Sequence, residues 1–208
     1  MRILFGILRI LAAAAIAVAV VGQFSYSLSR VPDPVFFVVN FFSFFTILSN
    51  LLSAIVLAIG AGYAFAGRRD PDWYNIARAC VVTYMATTFV VYNLLLRNIS
   101  LDQGNTVPWS NEILHVWAPL YLILDWVLAP GRRPIPWNRF GLILSVPLVW
   151  VLYTMVRGPI AQWYPYPFLD PAQPGGLGAV AVYVIAIAGF IGVVGVGITL
   201  LSRTRWPH

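Results

Sequence analysis

Two residues of this sequence could together supply a nucleophile and a base within an otherwise apolar chain. Residues 38–56 read VVNFFSFFTILSNLLSAIV, where Asn40, Ser43, Thr46, Asn50 and Ser53 recur every three or four positions. On a helix that spacing forms one polar face, with Ser49 beside it. Residues 111–126 read NEILHVWAPLYLILDW, which places Asn111, His115, Ala118, Leu122 and Asp125 on one face. His115 is the only imidazole inside an apolar segment, the other histidine being the last residue, His208. Imidazole is the side chain whose unperturbed pKa suits general-base work near neutral pH. A threonine hydroxyl needs such a base before it can attack a carbonyl. Asp125 lies ten residues beyond His115, about 15 Å along a helix axis, too far to orient the ring. Its expected role is structural pairing with Arg78 or Arg139. Serine and threonine in membrane helices usually serve packing, but a stripe that includes two asparagines is more than packing needs.

What the chain lacks narrows the chemistry. All thirteen cations are arginine, so lysine Schiff-base and P-loop chemistry are excluded. Cys80 is the single cysteine, so neither an intrachain disulfide nor a cysteine metal cage is expected. Two histidines are too few for a multi-histidine site. No metal and no cofactor is expected.

The elements that must position these groups follow from composition. The chain has 208 residues, of which 60% are apolar and 10% charged, and its mean hydropathy is +0.82. Soluble domains carry about 25% charged residues. The expected fold is an all-α polytopic membrane protein, one domain over residues 1–208. Six stretches are long enough to span: 7–27, 36–66, 76–97, 111–130, 139–157 and 177–201. The first is read as a span, since no small-x-small cleavage site precedes a hydrophilic start.

With a cytoplasmic N-terminus, ten arginines fall inside: 2, 9, 68, 69, 78, 132, 133, 139, 203 and 205. Three fall outside, Arg30, Arg97 and Arg157. This predicts a cell-membrane protein with both termini cytoplasmic. It also accounts for the net charge of +6 without nucleic acid as a partner.

The outer halves gather the remaining candidates. Asn50, Ser49, Asn93 and Tyr92 are candidate oxyanion or polar-pocket donors. Arg97 and Arg157 could hold a carboxylate, although snorkelling to headgroups is the simpler role for each. The last outer loop, expected at 158–176, carries Trp163, Tyr166 and Asp170 among several prolines and suits an ordered lid. Alanine and glycine stripes at Ala12, Ala15, Ala19 and Gly22, and at Ala188, Gly192 and Gly195, suit close helix packing. Counted from the outer helix ends, Thr46 lies about 15 Å deep and His115 about 8 Å deep.

FFTILSNLL around Thr46, NEILHVWAPLYLILDW around His115 and WYPYPFLD at 163–170 together resemble one family. It is that of androgen-induced gene one and the androgen-dependent TFPI-regulating protein, six-span membrane proteins with many bacterial relatives. The family pattern falls on Thr46, on His115, Pro119 and Asp125, and on Tyr166–Leu169 with Asp170. One spacing differs: the proline follows the histidine by four residues here and by five in the animal members. The resemblance covers nearly the whole chain. It implies an atypical threonine hydrolase that cleaves fatty acid esters of hydroxy fatty acids, with Thr46 as nucleophile and His115 as base.

Three functions therefore stand as expectations. The first is an intramembrane lipid-ester hydrolase acting on membrane lipids or fatty-acid-like ligands. The alternative is a non-enzymatic binder or transporter of lipids or small amphiphiles. The third is a bundle in which the stripe and the histidine only lock helices together. The oligomeric state is left open by the sequence.

Overall fold

A chain with so few charges must satisfy its backbone internally in lipid, and helices do this residue by residue. The structure, a computed structural model, describes residues 1–97 and 106–204, all of whose regular elements are helical. Arg205 and His208 lie outside the described residues. In chain order the helices are α1 (Arg2–Leu28), α2 (Pro34–Ser43), α3 (Phe45–Phe65), α4 (Asp72–Val91), α5 (Pro108–Glu112), α6 (Ala118–Leu128), α7 (Gly141–Ala161) and α8 (Gly176–Leu201). A π turn at Tyr92–Leu96 prolongs α4, and another at Ile113–Trp117 joins α5 to α6. Five helices are long and apolar enough to cross a bilayer: Arg2–Leu28, Phe45–Phe65, Asp72–Leu96, Trp137–Ala161 and Gly176–Leu201. By composition and build the chain is a multi-pass helical membrane protein. The segment expected to be the fourth span forms a continuous helical rod from Pro108 to Leu128 in α, π and α pieces.

The second expected span, 36–66, is not one helix. It breaks at Phe44, whose ψ of 130° is extended. No proline or glycine stands near the break, so long-range contacts account for it. The Trp150 indole donates to the Ser43 carbonyl at 2.9 Å. The Phe44 ring meets Trp163 edge-on at 5.5 Å and Tyr166 at 5.7 Å. The polar stripe is divided as a result. Asn40 and Ser43 turn to α7, where they meet Arg157 at 2.6 Å and Tyr153 at 2.8 Å. Thr46, Asn50 and Ser53 stay on α3 and are buried.

The basic end of the bundle is held by ions. Asp125 on α6 accepts from Arg9 of α1 at 2.8 and 3.2 Å and from Arg78 of α4 at 2.9 Å. Arg78 also pairs with Asp70 at 3.1 Å, and Arg9 donates to the Gly60 carbonyl of α3 at 3.2 Å. All four charged side chains are buried. The expected pairing of Asp125 with Arg78 is present. Its other partner is Arg9, not Arg139, because α1 packs along α3 and carries Arg9 to that level. Burial pushes the Asp70 carboxyl, in the α3–α4 loop, above the usual carboxylate range, while Arg78 and Arg9 pull it back down.

The small-residue stripe of α1 packs in part: Ala19 and Gly22 close on α5, while Ala15 is exposed. Ala19 is fully buried, and its carbonyl accepts from Ser110 of α5 at 2.7 Å. A Cβ at Gly22 would stand 2.7 Å from the Trp109 ring. Gly22→Ala should therefore destabilise the protein by about 1–3 kcal/mol, read as a lower melting temperature in detergent. An unchanged melting temperature would show that Trp109 is not seated on α1. The stripe of α8 behaves differently. Gly195 closes on Phe140 and Ile143, but a Cβ at Gly192 would meet nothing within 4 Å.

Candidate functional site

The break at Phe44 places Thr46 in the first turn of α3 instead of mid-helix. The first N–H groups of a helix have no partner within it, and here the Thr46 N–H donates to the Tyr166 hydroxyl at 3.2 Å. The same hydroxyl lies 3.3 Å from Thr46 Oγ1. Tyr166 reaches this point from the loop after α7, whose 3-10 turn at Pro167–Leu169 stacks Phe168 on the Tyr166 ring at 5.2 Å. Burial pushes the Tyr166 hydroxyl above the usual phenol range, so it is protonated at neutral pH. When that hydroxyl donates to Thr46 Oγ1, the threonine proton is free to point elsewhere.

His115 sits within the π turn of the α5–α6 rod. Its ring stacks on Tyr92 at 4.1 Å and 24°, and Tyr92 itself opens the π turn after α4. The two π turns thus face each other. Such turns widen a helix locally and are common at functional sites. His115 Nδ1 lies 3.0 Å from the Asn111 carbonyl. If Nδ1 carries the proton, that carbonyl accepts it, and Nε2 is left as the basic nitrogen. The Asn111 amide donates to the Tyr92 hydroxyl, holding the stacked ring in place.

Thr46 and His115 line one cavity of about 140 Å³, together with Tyr92, Tyr166, Arg97 and Asn111. Among the described residues no direct hydrogen bond joins the pair. Asn50 ties the two segments by donating to the Thr46 carbonyl at 2.9 Å and to the Leu114 carbonyl at 3.1 Å.

No protein-family model, curated protein or solved structure matches this chain.

The other expected site residues divide sharply. Tyr92 lines the cavity and keeps its hydroxyl proton available as a donor. Asn50 is not an oxyanion donor, because both its amide hydrogens are spent on backbone carbonyls. Ser49 donates to the Thr46 carbonyl and meets Thr88 at 3.3 Å. Asn93 bonds Phe89 and Arg97. Neither Ser49 nor Asn93 lines the cavity. Arg97 does line it, but it is paired with Glu112 at 2.8 Å. Arg157 is held by Asn40 and lies over the Trp163 ring at 5.4 Å, away from the cavity. Asp170 caps its own turn through the Ala172 N–H and the Gln173 amide.

The expected lid at 158–176 is shorter, since α7 runs to Ala161. Its Trp163 and Tyr166 clamp the Phe44 break, so the loop shapes the surroundings of Thr46 as well as covering them. That role of Tyr166 has no local signal in the sequence. Among the described residues no group of three metal-ligating side chains occurs.

Proposed function

We propose that the protein is an intramembrane hydrolase of lipid esters, with Thr46 as nucleophile and His115 as base. The observation that carries this reading is the shared cavity: the chain's one intramembrane imidazole and a threonine at a helix start line the same space. The resemblance of the segments around Thr46, His115 and Tyr166 to the androgen-induced gene one family supports it. Fatty acid esters of hydroxy fatty acids are then the substrate class. The proposed topology has six spans, counting the Pro108–Leu128 rod as the fourth, with both termini in the cytoplasm of a cell-membrane protein. The arginine asymmetry supports that orientation.

The proposed chemistry balances as two acyl transfers. His115 takes the Thr46 proton as Oγ1 attacks the ester carbonyl. The oxyanion is met by the Tyr166 and Tyr92 hydroxyls. Collapse breaks the C–O bond, and the departing alkoxide takes the proton from His115. Water then attacks the acyl-threonine with His115 again as base, releasing the free acid and restoring Thr46.

Transport is supported less. It needs a polar path to the basic end, and that end is filled by the four-charge network. The reading is tested by incubating purified protein in detergent with a fatty acid ester of a hydroxy fatty acid and measuring released fatty acid. Turnover is expected. Ester left intact at every protein concentration would sink it. Tyr166→Phe removes the hydroxyl that binds the Thr46 N–H and should slow release about tenfold to a hundredfold. An unchanged rate would confine Tyr166 to packing.

A further inference from the structure

We propose that the space between α4, α7 and α8 is a binding site for one hydrocarbon chain, that of a single-chain fatty acyl group. The chain enters sideways from the bilayer with its carbonyl end toward Thr46. This chamber has a volume of about 100 Å³ and is separate from the cavity that holds His115, with Thr46, Tyr92 and Tyr166 in the partition between them. Its walls include Val91, Leu144, Leu148, Val184, Ala188 and Ile191.

Two threonines also line it, but both hydroxyls are turned away. Thr87 donates to the Thr83 carbonyl at 2.9 Å, and Thr88 meets Ser49 at 3.3 Å. The polar groups the chamber offers to a carbonyl are therefore those of the partition, Thr46 with the Tyr92 and Tyr166 hydroxyls. Apolar cavities of this kind do not hold water. In a bilayer the available filling is hydrocarbon.

The mouth lies between α7 and α8. Leu148 lines the chamber and is 52% exposed, and Ala188 opposite is exposed as well. Gly189 and Gly192 lie beside this face of α8 without lining the chamber, and a Cβ at either would meet nothing within 4 Å, so no side chain there covers Ala188. From Val184 to Ile191 the chamber runs about 10 Å along α8. That length suits one extended chain lying along α8.

The proposal goes beyond the hydrolase reading and stands or falls separately from it. The test uses two photoreactive probes, each with a diazirine near the chain end. One is a free fatty acid, the other a phosphatidylcholine, and each is reconstituted with the protein in nanodiscs. The fatty acid should crosslink to peptides holding residues 144–151 and 184–191, enriched at least about tenfold over the lipid-facing surface of α1. Ala188→Trp on one lip and Leu148→Trp on the other should each remove that enrichment, and Thr46→Ala should keep it. Chamber crosslinks with no ester turnover would retain the site and dismiss the hydrolase. Equal chamber labelling by the phosphatidylcholine, or enrichment unchanged in both tryptophan variants, would overturn the proposal.

Discussion

Thr46→Ala should lower lipid-ester hydrolysis at least about a thousandfold, and His115→Ala should do the same. Nucleophile and base act as a unit, so removing either forfeits nearly all they contribute together. The double variant should then be no slower than the worse single one. Thr46→Ser keeps a hydroxyl at the start of α3 and should retain measurable turnover. The stability cost of these changes is small by comparison. Thr46 Oγ1 makes one long contact to Tyr166 at 3.3 Å, and His115 gives up its stacking on Tyr92, about 0.5–1.5 kcal/mol. Activity and melting temperature should therefore separate. If turnover fell only in proportion to folded protein, the pair would be structural, as in a bundle whose stripe merely locks helices.

Asp125→Ala should be the most destabilising single change, costing about 3–5 kcal/mol. The carboxylate accepts from two buried arginines on different helices, Arg9 and Arg78. Removing it strands Arg9 with only the Gly60 carbonyl and leaves Arg78 sharing Asp70. Asp125→Asn keeps the shape and should still destabilise, since neither arginine loses its charge. Denaturant unfolding in detergent reads the effect, and added salt should barely change it because the network is shielded from solvent. The exposed pair Arg97–Glu112, with side chains 44% and 39% accessible, provides the contrast: Glu112→Ala should cost about 0–1 kcal/mol. A loss below about 1 kcal/mol for Asp125→Ala would mean that water reaches the network.

Much of the architecture is written in local pattern. The apolar runs mark the helices, and the pairing of Asp125 with an arginine near the same end could be expected, with Arg78 and Arg139 both open. Arg9 reads as one more topological arginine, yet it is 2% exposed. Its burial depends on which helix α1 packs against, and no local signal carries that. The break at Phe44 is likewise silent, because no residue from Val35 to Ile59 is proline or glycine. It is made by Trp150, Trp163 and Tyr166, more than a hundred positions away.

The sequence counts put Thr46 about 15 Å deep and His115 about 8 Å deep, close enough to meet but not shown to do so. In the structure Thr46 is the second residue of α3, and it lines the same cavity as His115 of the π turn. The candidate pair was therefore legible as residue types. The cavity that unites it was not, because loop, break and π turns assemble only in three dimensions.

An active-site-directed fluorophosphonate offers the most direct measurement. It is incubated with wild-type protein in detergent, and the protein is then digested and the adduct located by mass spectrometry. One adduct per chain on Thr46 Oγ1, absent in His115→Ala, is the predicted result. An adduct on Ser49 or elsewhere, or Thr46 labelling that persists without His115, would contradict the assignment of this pair.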